Sequence, residues 1–188
     1  MTGLTTDPGI RDQVLAAADR LFYARGVQNV GMDAVRSEAG VSLKRLYQVF
    51  PSKNALLGEV LRRRSETWDA GLAEASAGAT TSREHLLAIF DFLDGWFRSD
   101  DFRGCVFVNT FAELGAVSPE VAAVARAHKS RFHRYVEGLV AELGGTADLA
   151  AQIALLVEGA QVTAAITGSP VPARQACAAT ETLLAAIG

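Results

Sequence analysis

VGMDAVRSEAGVSLKRLYQVFPSK, residues 30–53 of the chain, reads as two short helices hinged at Gly40. In the first, Met32, Val35 and Ala39 recur at spacings of three and four and share one face, while Asp33, Arg36 and Ser37 point elsewhere. Gly40 breaks the pattern. Ser42 then stands where a cap belongs, its hydroxyl able to accept a bond from an orphan backbone N–H, and Val41 and Leu46 hold the two positions of a hydrophobic staple. A second helix therefore starts at Leu43, with Leu43, Leu46 and Phe50 expected inside and Lys44, Arg45 and Gln48 outside. Two short helices joined by a tight glycine turn, the second offering a basic, amide-bearing face, form the helix-turn-helix that reads a DNA major groove. Arg45 sits at the third helical position, where a capping box would take Glu or Gln, so a local stabilising choice is given up on the face offered to DNA.

The rest of the chain suits that reading. Its 188 residues can bury a sizeable core, and the 49% hydrophobic share leans on alanine, with aromatics at 7%, which favours helices over strands. Net charge is −3, which at first argues against nucleic acid. Residues 1–66 nevertheless carry ten Lys and Arg against seven Asp and Glu, and the remainder eight against fourteen. A +3 head on a −6 body suits a DNA-binding segment attached to one that does not touch DNA. Cys105 and Cys177 have no metal-ligand spacing and the three histidines are scattered, so neither a metal site nor a cofactor is expected, and a reducing cytoplasm fits. No basic region followed by an apolar core opens the chain, and the apolar run 149–166 is interrupted by Gln152, Glu158 and Gln161, so neither a signal peptide nor a membrane span is expected.

In chain order, Asp7 and Pro8 read as cap and first position of a helix whose Ile10, Val14, Ala17, Leu21 and Phe22 recur at helical spacing and which Gly26 stops. Ser52 caps a fourth helix running to about Ala77. Lys53 in its first turn opposes the helix dipole, a cost of a few tenths of a kcal/mol that makes sense if a phosphate docks there. Arg62, Arg63 and Arg64 fan around this helix as solvated charges. Ser82 is expected to cap the next helix, where Leu86, Leu87, Ile89, Phe90, Phe92, Leu93, Trp96 and Phe97 are apolar nearly all round. In residues 104–114 the polar positions Cys105, Asn109 and Glu113 repeat at four and form one stripe. Three readings of it stand: a structural polar seam, the lining of a small-molecule cavity, or a Cys–His catalytic pair. Ser118-Pro119-Glu120 starts a long helix with His128 on its apolar stripe and His133 off it. Residues 148–167 and 172–187 form two Ala-rich helices with more apolar surface than one partner covers. They read either as a self-association face that would make a four-helix bundle across a twofold axis or as intramolecular core.

Residues 30–53 also resemble the tetracycline-repressor (TetR) family of bacterial regulators. The matching elements span roughly residues 10–60: Phe22 and Gly26 ending the first helix, Met32-Asp33 opening the second, Ala39-Gly40-Val41-Ser42, Leu46-Tyr47, Phe50-Pro51-Ser52-Lys53 and Ala55-Leu56-Leu57. The resemblance implies an all-α fold of about nine helices, a helix-turn-helix domain over residues 1–53, and a ligand-binding and dimerisation domain over 54–188. It also implies a homodimer through the last two helices and a small-molecule effector that controls binding to double-stranded operator DNA. Carried over by position, Ser42, Lys44, Arg45, Tyr47, Gln48 and Lys53 would face the operator. This sequence departs from the family pattern at Gly31, where Thr often caps, at Arg36, where a small residue is usual, and at Lys44-Arg45, where a Gly-Thr pair or similar is common. Phe92, Trp96, Cys105, Asn109, Glu113 and Phe132 are the expected pocket residues. The expected function is a ligand-responsive transcriptional repressor without enzyme activity. Rivals are a small helical enzyme or binding protein using Cys105, Asn109 and Glu113, and a helical interaction module with no DNA role.

Overall fold

A computed structural model describes residues 8–187, so the cap expected at Asp7 lies outside the described residues. Within them the chain is all helical. Its elements are α1 (Pro8–Arg25), α2 (Met32–Glu38), α3 (Leu43–Val49), α4 (Lys53–Ala75), α5 (Ser82–Phe97), α6 (Val106–Leu114), α7 (Pro119–Glu142), α8 (Ala147–Thr167) and α9 (Val171–Leu184), with a closing 3-10 turn at Ala185–Ile187.

The boundaries have local causes. Gly26 takes φ +80° and Gly40 φ +67°, left-handed conformations that an L side chain resists, so α1 ends and the α2–α3 turn is tight. α2 begins without a side-chain cap, because Gly31 has none to give. Ser42 Oγ accepts the Arg45 N–H at 3.2 Å, as the capping pattern predicts. α3 stops at Phe50 because Pro51 follows, and a residue before proline is pushed to extended backbone; Phe50 has φ −134° and ψ 103°. Ser52 Oγ caps α4 through Ala55 N–H at 3.1 Å, and Ser118 Oγ caps α7 through Val121 N–H at 3.4 Å. The cap of α5 is Thr81 rather than Ser82. Glu84 at the third helical position reaches back to the Thr80 and Thr81 N–H groups and completes a capping box, which Ser82, followed at that spacing by His85, could not form.

The chain divides into two compact units. One comprises residues up to Ser65 together with Val106–Val124; the other comprises Glu66–Cys105 and the chain from Ala125 onward. Packing thus groups α6 with the first three helices, whereas the expected functional division falls at residue 53.

In the first unit Val14, Val35, Leu46 and Leu56 are fully buried and draw α1 to α4 around one core, each contributing about 1.5–3 kcal/mol of burial. The arginine run of α4 divides by role. Arg62 pairs along its own helix with Glu59. Arg63 reaches Asp12 at 4.0 Å, while Arg64 is largely covered, bonds Asp19 and lies 4.3 Å over the Tyr23 ring. Arg64 is therefore a clamp between α4 and α1 rather than a solvated charge, because its planar head can stack and bond at once.

In the second unit Leu86, Ile89, Leu93, Val136, Ile153 and Val157 form the core, closed by Ala173 of α9. α8 is long and apolar enough by length and composition to cross a membrane, but its Ile153, Ala154, Val157 and Ala164 face is buried in protein. The other face of α8 stays open: Leu155 is 67% exposed and Ile166 80%.

Candidate functional site

The outer surface of α3 is set by which residues turn inward. Leu46 and Phe50 are buried as expected, but Leu43 is 40% exposed, and Val49 takes the inward place. Leu43 is the first residue of α3, and the i, i+3 spacing from Leu46 to Val49 already fills the core side. Leu43 consequently joins Lys44, Tyr47 and Gln48 on the outer face, all four exposed. Arg45, half-buried, donates from Nη1 to Gln48 Oε1 at 3.4 Å, which aligns its guanidinium along the same surface. Ser42 is spent on the cap, so its hydroxyl faces the start of the helix. Lys53 is the first residue of α4, with Nζ 5.9 Å over the Phe22 ring. Burial pulls its pKa below the ordinary lysine value, with the Glu113 carboxylate acting in the opposite direction. An apolar and an aromatic side chain flanked by cations and an amide can contact thymine methyls, phosphates and base edges.

Glu113 acts on this unit in another way. Its carboxylate accepts the Gln28 N–H at 2.8 Å, and the Gln28 side-chain amide donates to the Glu113 carbonyl at 2.6 Å. A Cβ at Gly26 would stand 3.1 Å from Glu113 Oε1, so glycine there serves both the positive φ and this approach. Glu113 thereby holds α6 to the turn after α1, as the polar-seam reading of the stripe describes. Asn109, exposed, lines with Phe22, Tyr23, Gly26 and Glu113 a small cavity of about 310 Å³. Cys105 belongs to the other unit, buried, with Lys129 Nζ 3.3 Å from its sulfur and that ammonium held by both Glu158 oxygens at 2.7 and 2.6 Å. The stripe is therefore divided between the two units.

The second unit contains a larger cavity, of about 590 Å³. α4 supplies Trp68, Asp69, Leu72 and Ala73, the turn after it Ser76, α5 His85, and α7 His128, Arg131, Phe132, Tyr135, Leu139 and Glu142. Of the expected pocket residues Phe132 lines it directly. Phe92 and Trp96 stand behind its wall, their rings 5.0 and 5.6 Å from Trp68 in edge-to-face contact. Gly71 makes room for this, since a Cβ there would meet Phe92 at 2.5 Å. The sequence carried a signal for the α7 side, the recurrence of His128, Phe132, Tyr135, Leu139 and Glu142 at spacings of four and three. Trp68 and Asp69 sit in a charged stretch of α4 that gave none.

Polar groups punctuate an apolar lining. Asp69 and Arg131 pair at 3.3 Å, and the Ser76 hydroxyl donates to Leu72 O at 2.9 Å. Burial raises the Tyr135 phenol above its ordinary value, opposed by a hydrogen bond with Ser76. His128 is buried beside Trp68, and desolvation, with Lys129 and Arg131 adding to it, pushes its pKa from 6.5 down to about 4. Arg131 can only donate, so the 3.5 Å contact assigns His128 Nδ1 as acceptor and the ring proton to Nε2. A base whose folded pKa is depressed costs stability as pH falls, because the unfolded chain takes up a proton that the folded chain refuses. Stability is expected to fall between pH 6.5 and about 4 by up to roughly 3 kcal/mol from this group. Denaturation midpoints measured across that range should flatten in His128→Phe; an unchanged slope would remove His128 as the cause.

The sequence of residues 14–60 matches the profile of the bacterial regulatory proteins of the tetR family. The HTH-type transcriptional activator FasR of Mycolicibacterium smegmatis is 36% identical over 117 residues, covering 60% of this chain and 50% of FasR, so the match spans half the length of that relative. The HTH-type transcriptional regulator YjdC of Escherichia coli is 25% identical over 152 residues, 79% of this chain and 80% of YjdC. The crystal structure of SCO4454, a TetR-family transcriptional regulator from Streptomyces coelicolor, superimposes with a TM-score of 0.89 over 97% of both chains at 26% identity. Residues 14–60 thus carry the sequence pattern of the bacterial regulatory proteins of the tetR family, and the nine α-helices of the described residues follow the architecture of the TetR-family regulator SCO4454.

Proposed function

We propose that the protein is a ligand-responsive, DNA-binding transcriptional repressor that grips a near-palindromic operator as a homodimer and is released by a small molecule. The observation that carries this is the outer face of α3, where Leu43, Lys44, Tyr47 and Gln48 are exposed on a helix whose cap and core are both satisfied. In this reading residues 1–53 are the DNA head and 54–188 the effector and dimerisation body. Lys53 and Tyr47 hold phosphates, Lys44, Arg45 and Gln48 read base edges, and Ser42 shapes the start of the reading helix. The effector site is the cavity around Trp68, Phe132 and Tyr135, backed by Phe92 and Trp96. The α4 helix supplies Lys53 at its start and Trp68, Leu72 and Ala73 further along, so in this reading one element carries both a phosphate ligand and a cavity wall. An effector shifts the population toward a non-binding state only by the difference in its affinity for the two states. Cys105, the nucleophile of the enzyme reading, is buried against Lys129, which does not favour that alternative.

Two substitutions test the head. Arg45→Ala should lose about 1–3 kcal/mol of discrimination at one base pair, because a guanidinium pairing with guanine O6 and N7 is removed. Operator selectivity measured at fixed salt that does not change would take Arg45 out of base readout. Lys53→Ala should weaken all DNA sequences alike and reduce the slope of log K against log salt by about one unit. An identical slope would mean that Lys53 touches no phosphate.

A further inference from the structure

We propose that the cavity of the second unit takes an elongated amphiphile with an apolar tail and a single cationic head, the head lying against Glu142. This rests on the reading of that cavity as the effector site. The α7 lining residues His128, Phe132, Tyr135, Leu139 and Glu142 form one row on the helix, about 21 Å long at 1.5 Å per residue. Cover falls along the row: His128 and Phe132 are buried, Tyr135 and Leu139 half-buried, Glu142 exposed. A ligand with one apolar and one polar end therefore has a single favourable direction. Its tail meets the rings of Trp68 and Phe132, and its head meets water and Glu142.

The sign of the head follows from the charges in the lining. Asp69 and Arg131 neutralise each other at 3.3 Å. Glu142 accepts from the Ser82 hydroxyl, and among the described residues no ion pair within 4 Å is formed with it. His85, one turn along α5 from Ser82, also lines the cavity. At the tail end His128 is uncharged at neutral pH, since its pKa is pushed down to about 4, and the cations beside it, Lys129 and Arg131, are already paired with Glu158 and Asp69. A carboxylate head at Glu142 would be repelled, a hydroxyl would be indifferent, and an ammonium would complete a pair.

The test uses the full chain and three probes of one chain length, decyltrimethylammonium, decanol and decanoate, each titrated at fixed salt. Trp68 and Trp96, the two tryptophans of the sequence, stand 5.6 Å apart at the cavity wall, so intrinsic fluorescence reads occupancy. The cation is expected to bind about 3- to 5-fold tighter than decanol, the gain of one partly exposed pair, and decanoate more weakly than either. Glu142→Gln should abolish the advantage of the cation and leave decanol unchanged. Glu137→Gln, an exposed α7 acid outside the lining, should preserve it. Decanoate binding as tightly as the cation, or a cation advantage that survives Glu142→Gln, overturns the assignment of the head while leaving the cavity as effector site. Failure of all three probes to change the fluorescence overturns the cavity reading itself, and this inference with it. Glu142 is exposed, so the thermal unfolding of its variant should match the parent and separate a lost contact from a lost fold.

Discussion

Trp68→Ala is expected to destabilise the second unit by about 3 kcal/mol and to remove the cavity wall, whereas Trp68→Phe should cost less than half as much. Trp68 is the hub of the aromatic cluster. Phe92, Trp96, His128 and Phe132 all meet it edge-to-face, with ring centroids 5.0–5.9 Å away. Each such pair is worth about 0.5–1.5 kcal/mol beyond area burial, and truncation removes all four together. The indole is half-buried, which places the figure at the lower end of the usual range for Trp→Ala. Neighbours cannot close the gap easily. Phe92 is already fitted against Gly71, and Phe132 is fixed in a core with Val136. Urea denaturation followed by circular dichroism gives the measurement. A loss below about 1 kcal/mol would mean that the cluster packs equally well without its centre, contrary to the close packing of interiors.

The same cluster separates what the sequence disclosed from what it withheld. The head was legible because its signals are local. Gly40, Ser42 and Pro51 each fix a boundary by backbone chemistry within three residues, and α3 begins and ends where they require. Leu43 was misplaced because helical spacing ignores where a helix begins: Leu43 shares a stripe with Leu46 but stands at the end of the element. The polar stripe of residues 105, 109 and 113 is divided between the two units for a related reason. Periodicity groups side chains on one helix, but Cys105 precedes α6 and packs with Lys129, while Glu113 bonds the turn at Gln28, far away in sequence. The cavity residues were the least legible, since Trp68, His85 and Tyr135 come from three helices and only tertiary packing brings them together. The cap of α5 was missed by one residue, because Ser82 and Thr81 are both good caps and the choice is made by Glu84 reaching backward.

The double substitution Leu155→Glu with Ile166→Glu is expected to leave each chain folded, convert a homodimer to monomers, and weaken operator binding by roughly 100-fold or more. Leu155, Val162 and Ile166 follow one another at seven and four along α8, on the face opposite its buried Ile153 and Val157. Gly159 falls between them, and a side chain there would meet nothing within 4 Å, so the stripe is open over its whole length. Large apolar side chains exposed in a row on a helix whose opposite face is core call for a partner, and an isologous twofold pairing covers the same stripe on both copies at once. Each residue so covered contributes about 1.5–3 kcal/mol, and a glutamate brought into that contact opposes it through the cost of burying an unpaired charge. The DNA consequence follows from arithmetic: two linked heads engage two half-sites with the second at high effective concentration, and a monomer forfeits that gain. Sedimentation velocity and operator titration on the same variant supply the two readings, with thermal unfolding as the check that α8 still packs. A variant that stays dimeric would move the interface away from this stripe. One that becomes monomeric yet keeps its operator affinity would sink the proposal that pairing of the two heads drives recognition.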